Sequence, residues 1–270
     1  MRWSLLAAIV IMIGLPTFAT AMGSCVEGNC KDGEGTWETP QGYTYTGQWK
    51  DGKPNGRGKA VMPTGNVMEG LFVDGFLQKG RETYPSGRVY VGEFDNYRYH
   101  GHGTDTYPDG RVYVGEFKEG HPNGNGKLTL PNGQTYIGAF KDGQFEGFGE
   151  VIRENGARYK GHFMNGLPHG SGTMTMPEGT VLSGQWTNGH LNGRGTMQTS
   201  EGIKYDGDFK NDQPNGRGSF RLPNGIQYTG DVKNGLFHGQ GSQTFPDGRK
   251  REGRFNEGKF MDGAKKAPQD

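Results

Sequence analysis

Cysteine is almost absent from this chain. Cys25 and Cys30 are the only two in 270 residues, which excludes a disulfide-dense scaffold and a cysteine-rich metal domain. Long apolar runs are equally scarce. The one that exists, from Leu5 to Leu15, ends at Pro16 and falls short of the roughly 20 apolar residues a membrane-spanning helix needs. An excess of one sign of charge is missing too. The chain has 30 Lys and Arg against 29 Asp and Glu, a formal net charge of +1, so it lacks the basic footprint of a nucleic-acid partner.

What the chain has instead is glycine, 51 residues of it, with 14 prolines and only 31% apolar residues. That composition ordinarily marks disorder. Here the aromatic residues recur at fixed intervals, which argues for an ordered fold. Glycine does not fall at every third position, so the chain is not collagen.

The N-terminus is set apart from the rest. Arg2, the apolar run and Ala19-Thr20-Ala21 form the charged, hydrophobic and small-residue parts of an export signal cleaved after residue 21. An uncleaved anchor is the alternative reading. Residues 22–32 follow as a short lead-in. In an oxidising compartment Cys25 and Cys30 would pair as a small disulfide loop. Alternatively, "MGSC" (22–25) is a lipid-attachment site acylated at Cys25, although Met22 suits that motif poorly.

From residue 33 to 260 one pattern repeats ten times. A glycine with a tyrosine before it and Phe or Trp after it, as in "YIGAF" (136–140), stands at Gly47, Gly70, Gly92, Gly115, Gly138, Gly161, Gly184, Gly207, Gly230 and Gly253. The step is 23 residues, except for 22 between Gly70 and Gly92. Within a unit, "YVGEF" (113–117) alternates aromatic or glycine with polar residues, the period of one strand. Turn-forming stretches such as "KDGKPNG" (50–56) follow, then a second strand opening at Gly-x-Gly, then "LPNG" or "FPDG". Glu93, Glu116, Lys160, His162, Asp206 and Asp208 fall on the solvated face of these strands. No unit buries its aromatic face alone, so neighbours must stack to make a core. The expectation is all-β: an elongated, twisted and curled single-layer antiparallel sheet of stacked hairpins. Residues 261–270 are a polar tail.

This unit, of which Gly110–Pro131 is a near-ideal copy, closely resembles the MORN (membrane occupation and recognition nexus) repeat. The resemblance implies a hairpin array acting as a scaffold or interaction platform, with links to membranes and to dimerisation. The copies are not uniform. Met68, Leu182 and Arg251 replace the tyrosine, Val232 replaces the second aromatic, and "FLQKGRE" (76–82) lacks Gly-x-Gly. These departures suggest a kink in the second unit and a cap in the last.

Catalytic and cofactor chemistry finds no foothold. His100, His169 and His238 share one repeat position, but three units separate successive members by roughly 28 Å, while metal–nitrogen bonds are about 2 Å. No serine or cysteine recurs beside a base, and Gly-x-Gly opens a strand where phosphate loops need a helix. The sequence therefore reads as non-enzymatic, without metal or cofactor, and with a protein partner. The candidate surface is the aromatic row Tyr113, Phe117, Tyr136, Phe140, Tyr159, Phe163, Trp186, Tyr205 and Phe209, as an exposed groove or as the core of the curled sheet. Arg249, Lys250, Arg251 and Arg254 are candidate contacts to anionic lipid, the basis of a second, membrane-binding reading. Open sheet edges also allow a homodimer.

Overall fold

The computed structural model describes residues 23–261; the segment expected to be an export signal and residues 262–270 lie outside them. All regular structure among the described residues is β, and the chain divides into two compact units, the first ending at Phe145 and the second beginning at Glu146.

The first unit contains β1 (Ser24–Gly28), β2 (Gly33–Glu38), β3 (Thr44–Lys50), β4 (Lys53–Val61), β5 (Val67–Val73), β6 (Phe76–Thr83), β7 (Val89–Asp95), β8 (Arg98–Thr106), β9 (Val112–Lys118), β10 (His121–Thr129) and β11 (Thr135–Lys141). The unit boundary falls inside β12 (Gln144–Ile152). Most of β12 belongs to the second unit, with β13 (Arg158–Met164), β14 (Leu167–Thr175), β15 (Val181–Thr187), β16 (His190–Gln198), β17 (Lys204–Lys210), β18 (Gln213–Arg221), β19 (Gln227–Lys233), β20 (Leu236–Thr244), β21 (Lys250–Asn256) and β22 (Lys259–Met261). Within each unit every strand pairs antiparallel with its sequence neighbours. The lead-in is more ordered than the sequence suggests, because residues 24–28 form β1 on the edge of β2.

The glycines form one continuous row in each unit. In the first, Gly35, Gly47, Gly58, Gly70, Gly80, Gly92, Gly103, Gly115, Gly126 and Gly138 lie side by side across β2–β11. Tyrosine rings lie flat on this row. A Cβ at Gly126 would stand 2.6 Å from Tyr113 Cζ, so only glycine admits the ring. Aromatic neighbours then meet edge to face: Tyr113 touches Phe117 and Phe140 with ring centroids 4.9 Å apart in both pairs. This geometry suits the ring quadrupoles.

The hairpin inside each repeat closes on two residues, both at positive φ, as in Asp51-Gly52 (51° and 71°) and Asn188-Gly189 (51° and 85°). That is the type I′ turn, whose twist matches the strands it joins. The turn is shorter than "KDGKPNG" suggests, because Lys53-Pro54-Asn55-Gly56 already belongs to β4. Pro54 sits opposite Trp49 at a β-bulge, where a missing N–H leaves no ladder bond unmade. Its carbonyl accepts the Gly75 amide of the next hairpin at 2.9 Å, and Pro122, Pro168 and Pro214 receive Gly143, Gly189 and Gly235 in the same way. These bonds tie hairpin to hairpin.

The bulge has its own polar lock. The Tyr113 hydroxyl donates to the Glu116 carbonyl at 2.8 Å, and Glu116 Oε1 accepts the Asn125 amide across the hairpin at 2.8 Å. Gln48, Asp208 and Asp231 accept the corresponding amides of Arg57, Arg217 and Gln240 at 2.8–2.9 Å. Glu116 and Asp208 are therefore structural acceptors and not free solvated charges. In the second repeat the missing residue is absorbed at this bulge: β6 is one residue short, yet Gly80 keeps its place between Gly70 and Gly92.

Candidate interaction surface

The aromatic row is not a groove. In the first unit Tyr113, Phe117, Tyr136 and Phe140 are buried, and in the second unit so are Tyr159, Phe163, Trp186, Tyr205 and Phe209. Their rings pack on the glycine row and on one another, which leaves no face for a ligand. Burial also governs their acidity. It pushes the Tyr45, Tyr159 and Tyr205 hydroxyls up to about 12. Trp186 Nε1 is satisfied internally, donating to the Gly172 carbonyl at 2.9 Å.

The basic cluster does not form one patch. Arg251 lies opposite Gln243 on the aromatic side, with its guanidinium 5.1 Å from the Phe245 ring centre and 5.0 Å from that of Phe260. Arg249 pairs with Asp247 at 2.7 Å. Lys250 and Arg254 project from the other face, since strand neighbours alternate, and Glu252 stands between them. A lipid surface would meet two cations with a carboxylate between them, far short of a polybasic segment.

Cys25 and Cys30 are joined by a disulfide. His100, His169 and His238 stay on separate hairpins, and no group of three or more His, Cys, Asp or Glu among the described residues could hold a metal.

One cluster in the first unit was not legible beforehand. The repeat position filled by Ala60 and Leu128 carries Glu82 in β6 and Asp105 in β8, both buried, on either side of Tyr90. Glu82 accepts hydrogen bonds from Asn66 (3.0 Å), Tyr84 (2.9 Å) and Tyr99 (3.1 Å). Asp105 takes a two-pronged contact from Arg88, at 2.9 and 2.6 Å. Burial raises the Glu82 carboxyl above its ordinary value, while the donors and the Arg88 charge oppose the shift. This network is fully engaged with itself and offers little to an outside ligand.

The surface that remains open is the face opposite the tyrosines. In the first unit, one side chain from each of β6–β11 makes a row: Arg81, Val91, Thr104, Val114, Lys127 and Ile137. Val91, Val114 and Ile137 are 46%, 49% and 48% exposed. The row behind it, Thr83, Val89, Thr106, Val112, Thr129 and Thr135, is β-branched throughout. In the second unit the residues between tyrosine or its substitute and glycine are Lys160, Ser183, Asp206, Thr229 and Glu252. The repeat is thus its own control: the fold accepts a polar residue at this position, so the aliphatic ones are not needed for folding. Comparing this position between copies was the signal in the sequence that could have revealed the face.

The second unit's corresponding face holds an open polar groove of about 750 Å³, lined by Asp206, Arg217, Ser219, Thr229, Ser242 and Glu252. Arg217 is taken up by Asp231 at 3.3 Å.

Comparison with known families agrees with this architecture. The MORN repeat model matches eight segments, residues 45–67, 90–110, 113–135, 136–158, 159–181, 183–203, 205–227 and 228–248, which together exceed half the chain. The chain belongs to the MORN-repeat family, whose repeats are non-enzymatic modules that interact with proteins or lipids. Among solved structures it is similar to a mutant of the TCP10 domain of Danio rerio CPAP, at 17% identity and a TM-score of 0.40, covering 82% of this chain and 99% of that one. It is also similar to the SAS-4 TCP domain of Drosophila melanogaster in complex with a proline-rich motif of Ana2. That match has 15% identity and a TM-score of 0.26, covering 74% of this chain and 85% of that one.

Proposed function

We propose that this protein is an exported, non-enzymatic scaffold that binds a protein partner through the outer face of its first unit. The observation carrying this reading is the exposure of Val91, Val114 and Ile137 at a repeat position where the second unit carries Lys160, Ser183 and Asp206. Exposed aliphatic side chains that the fold does not require are the mark of an interaction face. Export is supported by the N-terminal signal pattern and by the Cys25–Cys30 disulfide, since disulfides persist in oxidising compartments.

The test is cross-linked capture from cells that make the chain. A chain with Val91, Val114 and Ile137 all changed to Asp is compared with Thr229→Asp, a control at the same repeat position. The expected result is a partner captured by the wild type and the control but lost with the triple variant, from a chain whose N-terminus begins after Ala21. Capture indifferent to the triple substitution overturns the protein-binding reading. So does salt-sensitive sedimentation with anionic vesicles that survives the triple substitution, which would favour the membrane. An uncleaved chain retained in the cytosol overturns export.

A further inference from the structure

We propose that the Cys25–Cys30 disulfide is a redox-operated cap on the N-terminal edge of the first unit, and that opening it lets β2 pair with β2 of a second copy. This does not rest on the outer face. Among the described residues β1 is the edge strand, and it is a blunted one. It is five residues long, exposed throughout, and bulged between Cys25 and Glu27. Short, irregular edge strands resist pairing with another chain. β1 also lacks an apolar anchor, since Val26 is 52% exposed. Apart from its ladder with β2, it is held by the disulfide to the loop at residues 29–32. That loop has its own fastenings. The Asn29 side chain accepts the Lys31 and Asp32 amides at 3.0 and 3.1 Å. The Lys31 carbonyl and the Asp32 carboxylate accept the Gly52 and Asp51 amides, each at 3.0 Å. The Cys30 sulphur closes the glycine row as well. A Cβ at Gly35 would stand 2.9 Å from it, at the place where the Tyr45 ring covers Gly58 in the next hairpin. With the disulfide open, β1 has the ladder alone and peels as far as Asn29, whose amide bond to the Glu34 carbonyl (2.7 Å) is the last on this edge.

The edge beneath β1 is of a different kind. β2 (Gly33–Glu38) pairs with β3 without a bulge, and a regular strand with one side unpaired is a template for another. Its occupant is a second copy, because β2 is complementary to itself. Turned about a two-fold axis through Gly35, it sets Gly35 against Gly35, Gly33 against Trp37, and Glu34 against Thr36. The first two kinds of pair are those that β2 already makes with β3, where Gly35 meets Gly47 and Gly33 meets Trp49. Charge selects this register. The neighbouring registers that keep glycine and tryptophan on one face set Glu34 against Glu34 or against Glu38, and like charges directly opposite destabilise a strand pair. In the Gly35 register Glu38 falls beyond the end of the partner's strand. The result is an isologous contact that closes at two copies and carries the glycine row from one chain into the other.

The cap opens and closes by thiol–disulfide exchange. A thiolate of a dithiol reductant attacks Cys25 Sγ, which lies on the exposed strand, and Cys30 leaves as a thiolate. The reductant's second thiolate then displaces Cys25 and closes the reductant's own disulfide, while its two protons pass to the two cysteines. Exchange with a protein disulfide runs the same steps backwards and restores the cap.

The experiment is sedimentation velocity of residues 22–270 across a wide range of concentrations, in three forms: oxidised, reduced with dithiothreitol, and carrying Cys25→Ser with Cys30→Ser. Both open forms are expected to dimerise with a Kd at least about tenfold below that of the oxidised chain. In dilute solution the amides of β1 should exchange about tenfold faster or more once the disulfide is open. In the double-serine chain Thr36→Glu faces Glu34 of the second copy twice, so it should weaken the dimer about tenfold or more, and Thr36→Lys should tighten it. If the double-serine chain fails to fold, the reduced wild type carries the comparison, with β circular dichroism as the check on its fold. Equal association of oxidised and open chains overturns the inference, as does an open, folded chain that stays monomeric throughout. A dimer indifferent to Thr36→Glu overturns the β2 pairing, and β1 exchange unchanged by reduction overturns the cap.

Discussion

The ring of Tyr113 lies against the backbone of Gly126 on the adjacent strand, so closely that a Cβ there would sit 2.6 Å from Tyr113 Cζ. The contact recurs along each glycine row and explains how a chain this rich in glycine folds. Each glycine loses more backbone freedom than any other residue. Many of those in the rows, such as Gly58, Gly103, Gly126, Gly172 and Gly218, also make room for a tyrosine ring whose burial contributes about 1.5–3 kcal/mol. Gly126→Ala should therefore destabilise by about 2–3 kcal/mol through overpacking alone. A urea melt would show it as a lower midpoint, and Tyr113→Phe, which removes only the hydroxyl bond to Glu116, should cost about 1 kcal/mol.

The hairpin turns make a second expectation. Gly189 holds a φ of 85° and its amide donates to the Pro168 carbonyl at 2.9 Å. Gly189→Ala places a Cβ in the left-handed region and should cost about 1–2 kcal/mol. Asn188→Gly, at the first turn position, should fall within about 0.5 kcal/mol of the wild type. Thermal unfolding of the two variants side by side distinguishes them; equal shifts would mean that the turn is not under backbone constraint.

Much of this was written in the sequence. The 23-residue period, the strand parity of "YVGEF" and the Asp-Gly and Asn-Gly turns lead directly to antiparallel hairpins, because each is a local pattern with a local cause. The bulge was not. Pro-Asn-Gly looks like a turn, and its place within a strand depends on the Trp49 or Phe117 opposite and on a carbonyl bond to the next hairpin. Glu116 and Asp208 look like solvated charges until the bulge presents amides to them. The aromatic row could be read as a groove or as the core of the sheet, and only three-dimensional packing shows how completely glycine and tyrosine fill it. The outer face was legible in principle, since Val91, Val114 and Ile137 differ from their counterparts in other copies, but nothing local marks an exposed valine as unusual.

Glu82 makes a pH prediction. Burial raises its carboxyl in the folded chain above the unfolded value, so the folded state holds the proton more tightly. The associated stability is complete below the unfolded value, near 4.5, and is lost as pH rises through the folded one. Urea midpoints of the wild type should accordingly lose ground to those of Glu82→Gln as pH climbs from about 4 to 7. A difference that does not change with pH would show that Glu82 titrates as it does when unfolded.

The tyrosines act at the alkaline end. Tyr45, Tyr159 and Tyr205 are raised from 10.0 to about 12 by burial. Their contribution is present below pH 10 and disappears as pH rises through 12, because the unfolded chain ionises first. None of the tyrosines is exposed, so tyrosinate absorbance should lag behind that of the denatured chain and rise together with loss of β circular dichroism. A single smooth titration near 10 with the fold intact would contradict the packing described above.

The most direct measurement is hydrogen exchange on the chain with and without the partner captured through it. Binding by the outer face of the first unit predicts slowed exchange across β7–β11, centred on the strands that carry Val91, Val114 and Ile137, with β17–β21 unchanged. Protection confined to β17–β21, the last of which bears Lys250 and Arg254, would place the partner elsewhere and contradict the proposed function.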